Sequence, residues 1–182
     1  TTLFRSLAGD APVLALAPGA AYGPAKRWPA EHFARLAARR VERGAEVWLL
    51  GSPGDAAISA RIRAALAPAV AKRVHDLAGR TTLTEIVDLL AGVQALVTND
   101  SGLLHLACAL DRPVLALYGS TSSAFTPPLG MRSRALSLDL PCAPCFRRAC
   151  PLGHLACLRE LAPDRVGAEL DELLAEARSC AC

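Results

Sequence analysis

The sequence predicts one α/β domain, with a Rossmann-like parallel sheet and helices on both of its faces. Short, continuous apolar runs that end in glycine, proline or small polar residues alternate with segments of helical period. A strand buried on both faces reads as a continuous apolar run, and strand–helix alternation is typical of parallel sheets. The length of 182 residues fits a single domain, since domains commonly span about 100–200 residues.

The first elements follow this alternation. The apolar run Val13–Ala17 predicts a strand, and the next helix begins near Pro29, a residue suited to a first helical turn. Gly44 ends that helix, because glycine readily adopts the left-handed conformation found at helix termini. A second buried strand is predicted at 47–50, and the apolar residues that recur in 55–66 predict a second helix.

The second half continues the pattern and closes with a longer helix. We predict a short strand at 73–77, a helix at 84–90 that begins near Thr84, and a strand at 95–98. The apolar face of the following helix consists of Leu103, Leu106, Ala107 and Leu110. The remaining predicted elements are a strand at 114–117, a short strand near 134–138 and a closing helix from Pro163.

Charge and apolar content exclude several classes of protein. A hydrophobic fraction of 52% excludes disorder. The net charge of +3, without a block of five like charges, argues against a nucleic-acid partner. No apolar run reaches about 18 residues, so no transmembrane helix is expected. The first residues do not resemble a signal peptide, and the start on Thr1 suggests that a segment lies upstream.

Residues 98–102 lie between a predicted strand and a predicted helix, where ligands of parallel sheets bind. Small residues leave the first N–H groups of the helix uncovered, and the helix dipole is positive there, which favours a pyrophosphate. Asp100 and Ser101 could instead cap the helix, as these residue types often do. His105 lies off the apolar stripe of this helix and is either structural or part of the same site.

Two further polar positions follow strand ends. Lys26 and Arg27 end a glycine-rich loop, where Lys26 would reach phosphate oxygens or the two would form a solvated surface pair. Asp55 follows the second strand and would bind ribose hydroxyls or cap the helix 55–66. The Rossmann fingerprint G-x-G-x-x-G and the phosphate-binding P-loop are both absent, which removes the usual support for NAD(P) binding and ATP hydrolysis.

The 7 cysteines lie in the second half of the chain and at its end. An odd number with a local cluster predicts reduced cytosolic thiols or a small metal site rather than a secreted disulfide framework. Cys142 and Cys145 have the C-x2-C spacing of zinc ligands, with Cys150, Cys157 and His154 nearby. Both a structural zinc and free thiols fit this spacing.

Three segments carry a family pattern: LAPGAAYGPAKRWP at 16–29, TNDSGLLHLACALDRPVLALYGSTSSAFTPPLG at 98–130 and CAPCFRRACPLGHLACLRELAPDRV at 142–166. Together they resemble the lipopolysaccharide heptosyltransferases of glycosyltransferase family 9, and within that family the type II branch. The resemblance covers nearly the whole chain.

This resemblance implies that the chain, 1–182, is the C-terminal nucleotide-sugar-binding domain of a two-domain GT-B glycosyltransferase. It implies binding of ADP-L-glycero-D-manno-heptose and inverting transfer of heptose to the inner core of lipopolysaccharide. The N-terminal domain, absent from the chain, would bind the lipid A–Kdo–heptose acceptor and supply the general base. The implied location is cytoplasmic, at the inner face of the inner membrane. No cofactor is required by this chemistry, although Mg²⁺ on the diphosphate is compatible with it.

The resemblance also implies roles for single residues. Lys26 corresponds to a lysine that contacts phosphate and sugar, and Asp100 to an aspartate that holds heptose hydroxyls. His105 matches a histidine of the same helix, and Asp55 stands where a glutamate often contacts ribose. The expected catalytic residues are Lys26, Asp100 and His105. The other expected substrate contacts are Ser101, Gly102 and Leu103 at the helix start, and Leu77, Ala78 and Gly79 beside adenine.

Two alternative functions fit the same sequence. In the first alternative, the chain is a non-catalytic nucleotide-sugar-binding module. In the second, it belongs to a GT-B transferase that uses another sugar nucleotide. An activity assay with the N-terminal half supplied distinguishes a catalytic domain from the non-catalytic module. A binding panel of ADP-, UDP- and GDP-sugars distinguishes an ADP-heptose site from a site for another sugar nucleotide.

Overall fold

The computed structural model describes residues 9–179 of the chain. The strands are β1 Val13–Ala17, β2 Glu46–Leu49, β3 Val74–Asp76, β4 Ala95–Asn99, β5 Val114–Leu117 and β6 Ser133–Leu136. The helices are α1 Ala30–Glu42, α2 Ala56–Ala64, α3 Pro68–Ala71, α4 Leu83–Gly92, α5 Gly102–Ala109, α6 Ala156–Arg159 and α7 Pro163–Ser179. Within the described residues, no helix combines the length and the apolar character needed to cross a membrane.

All of these strands are parallel and form one sheet in the order β3-β2-β1-β4-β5-β6. β1 pairs with β2 on one side and with β4 on the other, so that Leu14 lies opposite both Val47 and Ala95. This strand order is that of a Rossmann sheet and confirms the predicted fold class. The loops that follow β1 and β4 run to opposite faces of the sheet, which leaves a crevice between them.

Helices cover both faces of the sheet, as predicted. Side chains along β1 alternate between two cores: Leu14 and Leu16 pack on the side of α1 and α7, and Val13 and Ala15 pack on the side of α4 and α5. The full burial of β1 explains why it reads as a continuous apolar run rather than an alternating one. The two cores fix the strand ends from which the loops of the crevice start.

α4 begins earlier than the sequence predicted. Its N-terminal cap is Thr82 rather than Thr84, and its first helical residue is Leu83. The Thr82 hydroxyl accepts a hydrogen bond from Glu85 N–H, and the Glu85 carboxylate accepts one from Thr82 N–H at 2.8 Å. This reciprocal pair satisfies two N–H groups that the helix itself leaves without partners. The earlier start places Leu83 at the rim of the crevice.

α5 also differs from its predicted form. The side chains that it buries are Leu104, Ala107 and Cys108. Leu103 and Leu106, which the sequence placed on the buried stripe, are only partly buried and border the crevice instead. The helix therefore presents an apolar face to a ligand as well as to the core.

Candidate active site

The crevice at the carboxyl ends of β1 and β4 forms a cleft of about 500 Å³. Loops after β1, β2 and β4 line it, together with the first turns of α4 and α5. In open parallel sheets, ligands bind outside the strand ends at the point where the strand order reverses. The cleft therefore lies where the fold alone predicts a binding site.

The N-terminus of α5 opens into this cleft without a side-chain cap. Ser101 precedes the helix, but its hydroxyl lies 3.0 Å from Thr98 Oγ1 and forms a hydrogen bond there instead. A Cβ atom added at Gly102 would meet no described protein atom within 4 Å, so the space above the first turn is free of side chains. Uncapped N–H groups and the helix dipole make this terminus suitable for an anion such as pyrophosphate.

Lys26 and Asp100 form a buried ion pair next to Ser101, although neither of the two side chains lines the cleft itself. The distance from Lys26 Nζ to Asp100 Oδ2 is 2.6 Å, and the two side chains are only 12% and 5% exposed. Thr121 donates a hydrogen bond to the same carboxylate oxygen at 2.7 Å. Lys26 is therefore not part of a solvated surface pair with Arg27, and Asp100 is not the helix cap. The pair as a whole carries no net charge, so an anion near the uncapped helix would compete with Asp100 for the Lys26 ammonium.

Asn99, the last residue of β4, fastens the loop that carries Lys26 to the sheet. Its Oδ1 accepts a hydrogen bond from Trp28 N–H at 3.0 Å, and its Nδ2 donates to the carbonyl of Pro18 at 2.8 Å. The side chain is fully buried. This one amide therefore holds the start of the loop, at Pro18, and its end, at Trp28, against the sheet. The sequence prediction gave no role to Asn99, although a polar residue at the end of an apolar strand was a visible signal.

Asp55 faces the cleft and also organises the loop after β2. Its Oδ2 accepts hydrogen bonds from the N–H and the hydroxyl of Ser52 at 2.9 and 2.7 Å. A Cβ atom at Gly19 would lie only 2.3 Å from this carboxyl group, so the close approach requires glycine there. Asp55 precedes α2, but its side chain makes no capping hydrogen bond to that helix. It pairs instead with Ser52 in the preceding turn Pro53–Asp55, and the ribose contact stays a prediction.

Two groups of predicted contacts lie away from the cleft. Leu77 and Ala78 are buried, Gly79 is exposed, and His105 is exposed on α5; none of the four lines the cleft. The apolar residues that do line the cleft beside α4 and α5 are Leu83, Ile86, Leu103 and Leu106. The geometry of residues 9–179 therefore favours these side chains, rather than 77–79, as the surface for an apolar ring such as a nucleobase. The roles expected for His105 and for 77–79 stay predictions.

The cysteine segment, 142–157, lies directly behind the Lys26 loop. A cavity of about 20 Å³ is bordered by the side chains of Cys142, Cys145, Cys150, His154 and Cys157. Ala25 N–H donates to the Arg148 carbonyl at 3.1 Å, which ties this segment to the loop. Among residues 9–179, no three His, Cys, Asp or Glu side chains are arranged to hold a metal ion, so the expected structural zinc has no support here. Cys180 and Cys182 lie outside the described residues.

The chain is similar to known glycosyltransferases in sequence. The profile of glycosyltransferase family 9 (heptosyltransferase) matches residues 3–156. Lipopolysaccharide heptosyltransferase 2 of Salmonella typhimurium is 42% identical over 171 residues, which cover 94% of this chain and 49% of that protein. Lipooligosaccharide heptosyltransferase 2 of Haemophilus influenzae is 46% identical over 133 residues, which cover 73% of this chain and 38% of that protein.

The same similarity holds in three dimensions. The structure of E. coli ADP-heptose lipopolysaccharide heptosyltransferase II matches this fold with a TM-score of 0.84 and 40% identity, over 93% of this chain and 48% of that one. The chain thus spans about half the length of these relatives, and its parallel α/β sheet matches the fold of GT-B heptosyltransferase structures. The matched profile includes the Lys26 loop, the Lys26–Asp100 pair and the open terminus of α5. The chain belongs to glycosyltransferase family 9, the heptosyltransferases.

Proposed function

We propose that this chain is the domain of a heptosyltransferase that binds ADP-L-glycero-D-manno-heptose and presents it for transfer to the lipopolysaccharide inner core. The observation that carries the proposal is the uncapped α5 terminus beside a buried lysine, at the crevice of the sheet. A diphosphate matches both features, because it carries negative charge and accepts several hydrogen bonds. The apolar wall of Leu83, Ile86 and Leu106 would contact adenine.

These groups would act mainly on the leaving group. When the bond between the sugar and the diphosphate breaks, negative charge develops on the β-phosphate. N–H groups and an ammonium group that are already in place stabilise such charge without reorganisation, which lowers the barrier. Asp100 would hold the Lys26 ammonium in position to stabilise this charge, and the packing of α5 on β4 would hold the helix N–H groups in position. Mg²⁺ on the diphosphate would add to the same positive field.

The rest of the reaction belongs to parts of the enzyme beyond this chain. Inverting transfer needs a general base that removes a proton from the acceptor hydroxyl as it attacks. We propose that a second, N-terminal half supplies this base and binds the lipid A–Kdo–heptose acceptor, at the cytoplasmic face of the inner membrane. The support for this is that relatives such as the Salmonella enzyme are about twice as long as this chain.

A binding panel tests the proposal most directly. We expect calorimetric titration to give tighter binding of ADP and ADP-heptose than of UDP, GDP or their sugars. Lys26→Met should weaken binding of all diphosphates, whereas Arg35→Met, at an exposed cation on α1, serves as the matched control. Equal affinity for all three nucleotides would refute ADP-heptose as the donor and favour a transferase with another sugar nucleotide. If transfer stays absent when the N-terminal half is added to a chain that binds ADP-heptose, the domain is a non-catalytic binding module.

A further inference from the structure

A second cavity, of about 410 Å³, lies on the other side of the Lys26–Asp100 pair from the nucleotide cleft. Its lining residues are Tyr22, Lys26, Asp100, Thr121, Ser122, Phe125, Thr126 and Phe146. The two cavities adjoin along the chain, since Ala21 and Ser101 line the cleft while Tyr22 and Asp100 line the second cavity. A ligand that follows the diphosphate past Asp100 would enter this second space.

The rim of the second cavity carries exposed aromatic rings that the core does not use. Trp28, Phe33, Trp48 and Tyr118 are buried, with exposures between 0% and 4%. Phe125 is 77% exposed, and Phe146 and Tyr22 are each 43% exposed, and all three line this one cavity. Large apolar side chains left in water at the mouth of a cavity are typical of binding sites.

These rings are held in place by the backbone around them. Phe125 and Phe146 pack edge to face, with ring centroids 5.3 Å apart. The Tyr22 hydroxyl donates to the Phe146 carbonyl at 2.9 Å, and Phe146 N–H donates to the Ser120 carbonyl at 2.6 Å. Phe125 N–H is bonded to the carbonyl of Ser122 within its own loop. The rim is therefore formed before a ligand arrives, and binding would cost little ordering.

The lining of the cavity is mostly apolar, and a few polar residues interrupt it. Asp100 uses Oδ2 for Lys26 and Thr121, and within residues 9–179 no hydrogen bond to Oδ1 is present, so that oxygen can accept from a ligand hydroxyl. Thr121, Ser122 and Thr126 line the same cavity. Aromatic side chains beside a carboxylate and hydroxyl-bearing residues match one kind of molecule well: a sugar ring, whose C–H face is apolar and whose edge carries hydroxyls.

We propose that Phe125 and Phe146 form a platform on which a sugar ring of the substrates stacks, so that these two residues set the sugar specificity of the site. The proposal rests on the proposed function for the nucleotide cleft and adds to it a recognition surface for the sugar. The ring belongs to the nucleotide sugar or to the acceptor, and the two sources are distinguished by experiment.

The test replaces Phe125, because its side chain is exposed and its loss leaves the core intact. Phe125→Leu keeps an apolar side chain without a flat face, and Phe125→Tyr keeps the ring. Met131→Leu, at a 97% exposed position that lies outside both cavities, is the matched control. Titrations use ADP and ADP-heptose, and transfer rates are measured over a range of acceptor concentration with the N-terminal half supplied.

If the ring belongs to the donor, Phe125→Leu weakens ADP-heptose binding about three- to tenfold and leaves ADP within twofold, as expected for the loss of one aromatic contact. If it belongs to the acceptor, the same variant leaves both titrations unchanged and raises the acceptor KM by a similar factor. In both cases Phe125→Tyr and Met131→Leu behave as wild type.

Other results overturn the platform. Equal loss of ADP and ADP-heptose affinity would mean that Phe125 acts on the nucleotide cleft as a whole. Unchanged affinities and KM with a lower melting temperature of the two-half enzyme would mean that the rings pack against protein. Failure of wild-type protein to bind ADP at all would instead refute the proposed function itself, which keeps the two hypotheses separable.

Discussion

At the scale of single residues, the site depends on polar side chains that are buried and matched to partners far away in sequence. Lys26 and Asp100 are 74 positions apart in the sequence. The charged group of each is mostly buried, which is possible only because the oppositely charged partner is in contact with it. Burial of two charges is costly, and the pair is tolerated because the ions satisfy one another. Removing one partner should therefore cost more than removing both.

The first prediction is a double-mutant cycle on this pair. Asp100→Asn leaves the nearly buried ammonium of Lys26 without a counter-charge, which should lower the free energy of unfolding by up to about 3 kcal/mol. Lys26→Met combined with Asp100→Asn should be less destabilised than Asp100→Asn alone, because no orphan charge remains. Urea unfolding of the single and double variants measures both effects. Strictly additive losses would show that the two groups do not interact in the folded protein.

A second prediction concerns the acidity of two thiols in the cysteine segment. The Leu155 N–H donates to Cys150 Sγ at 3.4 Å, and it and neighbouring N–H groups hold the pKa of Cys150 below its usual value. Burial, followed by repulsion from the other thiols of the segment, raises the pKa of Cys157. Since the thiolate is the nucleophile, the rate of Cys150 alkylation should reach its half-maximum at a lower pH than that of Cys157.

Mass spectrometry of the peptides after short treatment with iodoacetamide, at a series of pH values, measures this order. In urea the two cysteines should react at nearly the same rate, because the hydrogen bonds and the burial are lost together. Faster alkylation of Cys157 in the native protein would contradict the geometry of the segment.

At the scale of elements, the uncapped start of α5 is the feature on which the proposed phosphate binding depends. Most helices place a Ser, Thr, Asp or Asn side chain over their first N–H groups, and loss of such a cap costs about 1 kcal/mol. Ser101 is available for this task, yet it bonds to Thr98. α4 shows the opposite arrangement, because Thr82 and Glu85 satisfy two of its first N–H groups. Among residues 9–179, other helices also lack a side-chain cap, but α5 is the uncapped one whose first residues line the cleft.

The third prediction follows from the space above Gly102. Gly102→Val should change the free energy of unfolding by no more than about 0.5 kcal/mol, as for other substitutions free of contacts. It should nevertheless weaken ADP binding strongly, because the branched side chain stands where the diphosphate would lie. The matched control is Gly92→Ala, which also has no described atom within 4 Å of its added Cβ but lies at the far end of α4. Tight ADP binding by Gly102→Val would exclude α5 as the phosphate site.

The fourth prediction addresses the cysteine segment as an element. We propose that it supports structure and takes no direct part in chemistry, since it lies behind the Lys26 loop and is fastened to it through Ala25 and Arg148. Replacing Cys142 and Cys145 together by Ser should lower the melting temperature, and turnover in the two-half enzyme should stay within a few-fold of wild type. Elemental analysis of wild-type protein then decides between bound zinc and free thiols.

A stable double variant with turnover reduced by orders of magnitude would contradict this assignment. Such a result would mean that the thiols take part in the reaction. Alternatively, it would mean that the thiols, more than the other contacts of Lys26, determine where Lys26 lies.

At the scale of the whole molecule, β1, β4 and β5 could be predicted because each is a short, fully buried run, which the sequence shows as consecutive apolar residues. β3 and β6, at the two edges of the sheet, are only partly buried and gave weaker signals. The helix boundaries were less certain: several Thr residues precede α4, and only the geometry of Thr82 with Glu85 selects the cap. The sequence left two alternatives for the start of α5, an open phosphate-binding terminus or a capped one, and the open terminus is the one observed. The burial of Lys26 and the role of Asn99 could not be predicted, because both arise from contacts between distant segments that no local sequence pattern reports.

The order of the sheet has a consequence for folding. β1 must pair with β4, some 80 residues later, before the cleft exists, and pairing between distant segments forms late. The cleft is therefore a property of the native state alone. A ligand that binds only this state stabilises it by about 2.7 kcal/mol at a concentration one hundred times its Kd. If the cleft binds a nucleotide sugar as proposed, the cellular pool of that ligand would protect the chain from proteolysis, and the protein would persist longest in cells where the ligand is abundant.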